Sequence, residues 1–329
     1  MTELQKRFRN GIYGVATGDA LGTPVQFCSR EEVRRYPITG MKNDGTYRLP
    51  GGTWSDDTSM SLALAESLGR LKDINYEDVM SNFVKWNNCG KFTPDGKAFD
   101  QGYTCLAAIE NWTNRKETGW PEKAVDCGLT EFEDNGNGSL MRILPISFYI
   151  YAKYGKDASA HGDIVRNVSK LTHAHPISQF ACEFYCNMIY QMLENPELSK
   201  KEIFENVKKI MLKIWENPSL SEEKEELKDV YERLYDQNFP SFTDEEIKSS
   251  GYVVHSLEAA IWCFLNTDNY RDCTLKAVNL GEDTDTIAAI AGGLASIYYE
   301  EIPQEWWDEL RGKDVIENSI ADMFAILYF

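Results

Sequence analysis

Residues 285–299 constrain this chain more than any other stretch, because they join a dense acidic cluster to an apolar helix with little bulk on one side. Ile287, Ile290, Leu294 and Ile297 fall on one helical stripe, and Ala288, Ala289, Ala291, Gly292 and Gly293 fill the rest. A mid-helix glycine costs up to ~1 kcal/mol relative to alanine, so two in a row predict a neighbouring helix that must approach closely. This helix is expected at the centre of the core, with Gly281-Glu282-Asp283-Thr284-Asp285-Thr286 at its N-terminal edge.

A second cluster, Thr53-Trp54-Ser55-Asp56-Asp57-Thr58, stands in the same relation to an alanine- and leucine-rich helix expected from Thr58 to Leu71. Helical spacing also predicts a helix over 3–21 (Leu4, Phe8, Ile12, Val15), capped by Thr2 and ended by Gly22 and Pro24. Further helices are expected over 76–86, capped by Asn75, and over 178–193, 201–215 and 253–265. Residues 36–54 and 112–138 read as loops, and Phe239-Pro240-Ser241 as a turn. The charged stretch 218–248 begins as a solvated helix. No segment alternates like a strand, and no repeat or low-complexity linker divides the chain. The prediction is an all-α, single compact multi-helix domain over residues 1–329.

Each acidic cluster on its own fits helix capping, since Asp, Ser and Thr satisfy free N–H groups and complement the dipole. Two or three acids within four positions exceed what a cap needs. If the clusters meet, two like charges at ~4 Å repel by about 4 kcal/mol at an effective dielectric near 20. Protonation or bound cations must then relieve them. Hard divalent ions prefer such oxygen ligands, and the hydroxyls of Ser55 and Thr286 suit the same shell. Competing motifs fit less well. Asp283-Thr284-Asp285-Thr286 has the form of a haloacid-dehalogenase nucleophile, but residues 276–280 make a poor buried strand. An EF-hand needs a late glutamate that the apolar residues after Thr286 lack, and no P-loop or GxGxxG is present.

The net charge of −18 argues against a grip on bare nucleic acid. No apolar run approaches the ~20 residues of a membrane span, and the N-terminus lacks a signal-peptide core. Eight cysteines without a CxxC pair read as reduced thiols of a cytoplasmic protein.

Seven short blocks occur in a telling order: Gly18-Asp19-Ala20-Leu21-Gly22-Thr23-Pro24, Trp54-Ser55-Asp56-Asp57-Thr58, Phe99-Asp100-Gln101-Gly102, Gly136-Asn137-Gly138-Ser139-Leu140-Met141-Arg142, Thr172-His173-Ala174-His175-Pro176, Gly251-Tyr252-Val253-Val254 and Gly281 to Thr286. With them the chain resembles the ADP-ribosylglycohydrolases, especially the branch of the dinitrogenase-reductase-activating enzymes. The resemblance implies an orthogonal all-α fold and two divalent ions, Mg²⁺ or Mn²⁺, held by Ser55, Asp56, Asp57, Asp283, Asp285 and Thr286. It implies catalytic roles for Asp285 and for Asp100, which would hold the ribose or handle a proton. Asn137, Gly138, Ser139, Met141 and Arg142 match a diphosphate-binding loop, whose glycines would let backbone N–H groups approach phosphate oxygens. His173 and Tyr252 match nucleotide-pocket residues, Gln26 and Gly102 complete the substrate-binding set, and Asp19 reads as support for the metal ligands.

The implied activity is metal-dependent hydrolysis of the glycosidic bond joining ADP-ribose to a modified group, such as a protein arginine. The partner would be an ADP-ribosylated protein or a small ADP-ribosyl substrate, acted on by a monomer. Two positions depart from the family pattern: Gln26 stands where glutamate is frequent, and Tyr103 where asparagine is. They favour an alternative, a non-catalytic ADP-ribose-binding or structural protein on the same fold, which the intact acidic clusters argue against.

Overall fold

The computed structural model describes residues 1–215 and 224–328. Its first half carries α1 (Glu3–Gly22), α2 (Arg30–Arg35), α3 (Asp56–Leu71), α4 (Tyr76–Cys89), α5 (Tyr103–Thr118), α6 (Leu144–Tyr154) and α7 (Gly162–Lys170). Then follow α8 (Pro176–Glu194), α9 (Lys200–Trp215), α10 (Lys224–Val230), α11 (Glu232–Tyr235) and α12 (Val253–Leu265). The chain ends through α13 (Tyr270–Val278), α14 (Thr284–Tyr299), α15 (Gln304–Glu309) and α16 (Lys313–Ile320). Among the described residues there is no strand, only three isolated bridges. None of the described helices is long and apolar enough to cross a membrane.

Three glycines spaced four apart set the axis of this arrangement. On α1, Gly14, Gly18 and Gly22 face Ser296, Gly292, Ala288 and Asp285 of α14. A methyl group added at Gly18 would lie 2.1 Å from the Ala288 carbonyl oxygen, and one at Gly22 would lie 2.3 Å from Asp285 Cα. One added at Gly292 would meet the Gly14 carbonyl oxygen at 2.5 Å. Gly293 makes room for the Tyr185 hydroxyl of α8, 2.4 Å from where its Cβ would sit, whereas the close neighbour predicted from the glycine pair is α1 at Gly292. Such backbone contact admits no side chain, and it brings the C-terminal end of α1 against the first turn of α14.

The chain's own caps delimit the outer helices. Thr2 Oγ1 accepts the Gln5 N–H (3.2 Å) and Asn75 Oδ1 the Asp78 N–H (2.9 Å), both as predicted. Gly90, at φ +64°, closes α4 three residues beyond the predicted end. Residues 112–118 are helical, not loop. They finish α5, whose Cys105, Ala108, Ile109 and Trp112 make a narrow buried stripe that the polar residues between them mask. Helix α6 also went unpredicted, because Leu144 to Ile150 are buried all round and show no amphipathic period. The start of the predicted charged helix falls in 216–223, outside the described residues. The Phe239–Ser241 turn forms as a 3₁₀ turn. Of the eight cysteines, all without disulfides, six are buried.

Candidate active site

The first turns of α3 and α14 meet against the C-terminal end of α1, and Asp19 joins them. Fully buried, its carboxylate accepts the backbone N–H groups of Ser55 (2.9 Å) and Thr58 (3.1 Å) and the hydroxyls of Thr58 (2.6 Å) and Thr23 (3.0 Å). Helix α3 is thus capped by a residue of α1. Ser55 and Asp283 occupy the N-cap positions of α3 and α14, yet neither makes a side-chain cap bond. Capping therefore does not account for the two acidic clusters.

Asp19, Asp57 and Asp285 each bring a carboxylate oxygen within 4.8 Å of the other two. All three are 0 % exposed, and Asp57 Oδ1 and Asp285 Oδ2 have no hydrogen-bond partner. Asp57 Oδ2 accepts the Ser55 hydroxyl (3.1 Å) and lies 3.5 Å from that of Thr286. Asp283 Oδ2 accepts from Asn137 Nδ2 at 2.6 Å. Elsewhere in the fold, buried acids are paired: Glu183 with Arg166 (2.7 Å) and Glu258 with Arg233 (2.9 Å). Among the described residues the aspartate cluster has no such cation.

Burial pushes Asp56, Asp57 and Asp285 well above the usual carboxylate range. Neighbouring charge adds to it, from Asp100 at Asp56 and Asp285 and from Asp19 at Asp57. Burial also raises Asp283 against the hydrogen bond from Asn137, and raises Asp19 to about 6 against those from Thr58 and Ser55. Unpartnered, crowded carboxylate oxygens beside two hydroxyls match the donor preference of a hard divalent cation.

A cavity of about 640 Å³ opens beside this cluster. Asp56, Asp283 and Thr286 line it, with Gln26, Asp100, Gly102, Asn137, Gly138, Met141 and His173. Ser55, Asp57 and Asp285 lie buried behind that wall. The loop at 128–138 is held on both sides. Leu129 bridges to His173, and Gly136 bridges to Tyr252, with Asn137 N–H donating to Gly251 O (3.0 Å). Tyr252 itself is half-buried, its ring centroid 6.2 Å from that of Phe132.

The structure departs from expectation at Ser139, Arg142 and Tyr252, none of which lines the cavity; Ser139 and Arg142 stand behind the loop. The Ser139 hydroxyl accepts from Ser169 (2.9 Å), and the Arg142 guanidinium, 0 % exposed, donates to the Gly138 carbonyl (2.6 Å) and the Thr172 hydroxyl (2.8 Å). The turn over residues 138–142 carries both side chains into the core.

Asp100 is held by two donors. Gln26 Nε2 donates to Oδ2 at 2.8 Å, and the Tyr47 hydroxyl lies within donating range of both Asp100 Oδ1 and Gln26 Oε1. With one proton to give, Tyr47 serves one of them at a time. Tyr47 lies in the loop at 36–54, and nothing in its local pattern distinguishes it from an ordinary loop aromatic. Phe27, Asp100 and Glu282, all lining the cavity, adopt positive φ of 68°, 58° and 63°. Strain of about 1–3 kcal/mol at each such residue collects at functional sites. A reciprocal pair of backbone bonds holds two of them: Phe27 N–H to Glu282 O and Glu282 N–H to Cys28 O, both 2.7 Å.

The family model described as ADP-ribosylglycohydrolase matches residues 1–328. The chain belongs to the ADP-ribosylglycohydrolase family. It is accordingly a hydrolase of glycosidic bonds to ADP-ribose, and the helical fold agrees with that assignment. This glycohydrolase is similar to the ADP-ribosylarginine hydrolase Tri1 of Serratia proteamaculans (strain 568), at 31 % identity over 98 % of this chain and 80 % of the relative. It is 28 % identical to the ADP-ribosyl-[dinitrogen reductase] glycohydrolase of Rhodospirillum rubrum, over 94 % of this chain and 92 % of that one. A solved structure described as an ADP-ribosylglycohydrolase-related protein complex superposes with a TM-score of 0.73 at 26 % identity, over 100 % of both chains.

Proposed function

We propose that this glycohydrolase is a divalent-metal-dependent ADP-ribosylarginine hydrolase. The observation that carries the metal reading is the pair of orphaned oxygens, Asp57 Oδ1 and Asp285 Oδ2, buried together without a cationic partner. Asp56, Asp57, Asp283 and Asp285, with the hydroxyls of Ser55 and Thr286, would hold two Mg²⁺ or Mn²⁺ ions. Bound there, such ions supply Lewis-acid polarisation and a water of lowered pKa.

The chain's own residues do the positioning. Asp19 holds the first turn of α3 rigid, so that Asp56 and Asp57 keep their aim. Asp100, fixed by Gln26 and Tyr47, accepts a ribose hydroxyl or the proton that must move as the glycosidic bond breaks. Gln26 carries no proton-accepting carboxylate, so that duty falls on Asp100. Gly136, Asn137, Gly138 and Met141 present a backbone cradle to the diphosphate, while His173 borders the nucleotide, Tyr252 braces the loop through its bridge to Gly136 and Gly102 lies against the sugar. The arginine linkage is supported by the similarity to Tri1.

The test is a panel of ADP-ribosyl-arginine and ADP-ribosyl-serine substrates, incubated with Mg²⁺, Mn²⁺ or chelator, with released ADP-ribose as readout. Preferred cleavage of the arginine linkage that disappears with chelator is expected. Undiminished activity in chelator, or in Asp285→Asn, would overturn the metal reading. Preference for serine would overturn the linkage.

A further inference from the structure

Arg142 is a guanidinium sealed in the core without a carboxylate partner. It is 0 % exposed, stands 4.7 Å from the centroid of the Phe83 ring, and leaves its Nε unpartnered. Its other nitrogens are committed: Nη1 to the Gly138 carbonyl at 2.6 Å and Nη2 to Thr172 Oγ1 at 2.8 Å. Thr172 Oγ1 in turn lies 2.7 Å from His173 Nδ1. A guanidinium can only donate, so one lone pair of the hydroxyl accepts from Arg142. If its second lone pair took a proton from Nδ1, the hydroxyl's own proton would have no nitrogen or oxygen acceptor among the hydrogen bonds of Thr172, so that proton goes to Nδ1. Nδ1 is then the acceptor of the imidazole, and the ring proton resides on Nε2.

That Nε2 edge is turned to the cavity loop, 3.4 Å from where a Cβ on Gly136 or Gly138 would sit, and Nε2 makes no hydrogen bond among the described residues. Burial and the guanidinium charge both hold His173 neutral, its pKa pushed down to about 3. We infer that Arg142 is a positioning residue: acting through Thr172, it fixes His173 as the Nε2–H tautomer and so aims one neutral hydrogen-bond donor at the anionic ligand. The same guanidinium anchors the Gly138 carbonyl inward. One buried cation thereby orients both the loop and the imidazole without touching the ligand.

The inference rests on the reading that this cavity takes ADP-ribose, but its first test needs no ligand. Nitrogen-15 NMR of the histidine-labelled full chain, with four histidines to assign, reads the tautomer directly. His173→Gln identifies the His173 resonances. The expected result is a protonated Nε2 and a bare Nδ1, unchanged between pH 5 and 8. Thr172→Val, which removes the relay while keeping the shape, should mix the tautomers and weaken ADP-ribose binding by roughly tenfold. Thr172→Ser should restore both. A protonated Nδ1 in the unaltered protein, or a tautomer indifferent to Thr172→Val, would overturn the inference. Absent ADP-ribose binding alongside the expected tautomer would overturn the ligand reading instead. Arg142→Lys offers an independent arm: its three N–H donors sit on a single nitrogen, which cannot reproduce the two separate positions from which Nη1 and Nη2 hold Gly138 and Thr172, so binding falls even if the fold persists. Unchanged binding in a folded Arg142→Lys protein also counts against the inference.

Discussion

Asp57 and Asp285 stand in the first turns of two different helices, yet offer carboxylate oxygens within 4.8 Å of each other, and each keeps one oxygen with no hydrogen bond. The fold aims these groups at one point and leaves their charge unbalanced. In metal-free protein that arrangement opposes folding; with cations bound it becomes a reason to fold.

Removing one carboxylate should therefore separate stability from activity. Asp285→Asn, unfolded by urea in chelator at pH 8, should be more stable than the parent by about 1–3 kcal/mol, because it removes one of the crowded negative charges and puts an N–H donor beside the remaining carboxylates. Its turnover should fall by more than about a hundredfold, the upper range for losing a residue that merely supports a metal ligand. Added Mg²⁺ or Mn²⁺ should raise the melting temperature of the parent by mass action, about 2.7 kcal/mol at a hundred times Kd, and leave the variant nearly unmoved.

The same cluster predicts an unusual pH profile. Asp19 rises from an ordinary 3.8 to about 6 in the folded protein. Between those values the folded state binds more protons than the unfolded chain. This contribution is therefore fully present below about 4 and lost as pH rises through about 6. Asp56, Asp57 and Asp285 shift in the same direction. In chelator, the stability read by urea denaturation should increase as pH falls from 7 to 5, by about 1 kcal/mol from Asp19 out of the roughly 3 kcal/mol it contributes by about pH 4. Saturating Mn²⁺ should flatten or reverse the slope, because metal binding requires the deprotonated groups.

The contact between α1 and α14 can be probed one methyl at a time. Gly18→Ala places Cβ 2.1 Å from the Ala288 carbonyl oxygen, where only backbone movement gives relief. It should cost at least about 3 kcal/mol, the upper range for overpacking. Gly102→Ala meets nothing within 4 Å at an ordinary helix-entry φ of −64°, and should change stability by less than about 0.5 kcal/mol. Equal melting temperatures for the two variants would contradict the close contact.

Tyr47→Phe removes one hydroxyl and keeps the ring against Phe99, 5.1 Å between centroids. A hydrogen bond to a charged group contributes about 1.5–3 kcal/mol. If Tyr47 steadies Asp100 for the reaction, kcat should fall by about tenfold or more in protein that still folds, with a stability loss no larger than that range. Steady-state kinetics beside a melting curve checks both at once.

Much of this was legible before the fold. Small residues at 288–293 announced a close helix neighbour, and Thr2 and Asn75 announced helix starts, because both signals are local and steric. Density marks Asp56, Asp57, Asp283 and Asp285 as more than caps. The helices at 103–118 and 144–154 are not legible in the sequence, because one buries too narrow a stripe, and the other is apolar all round and shows no period.

What the chain determined by itself was its helical periodicity, its chemistry-bearing blocks and, through their order, its family, since each is written in neighbouring residues. Only the tertiary structure decided that Asp19 caps a helix it does not belong to, that Tyr47 reaches Asp100, and that Arg142 turns away from the cavity toward Thr172. Those relationships depend on where distant backbones cross. At the decisive crossing, Gly14, Gly18 and Gly22 let α1 and α14 touch, and a single methyl in that contact would shift every carboxylate behind the cavity.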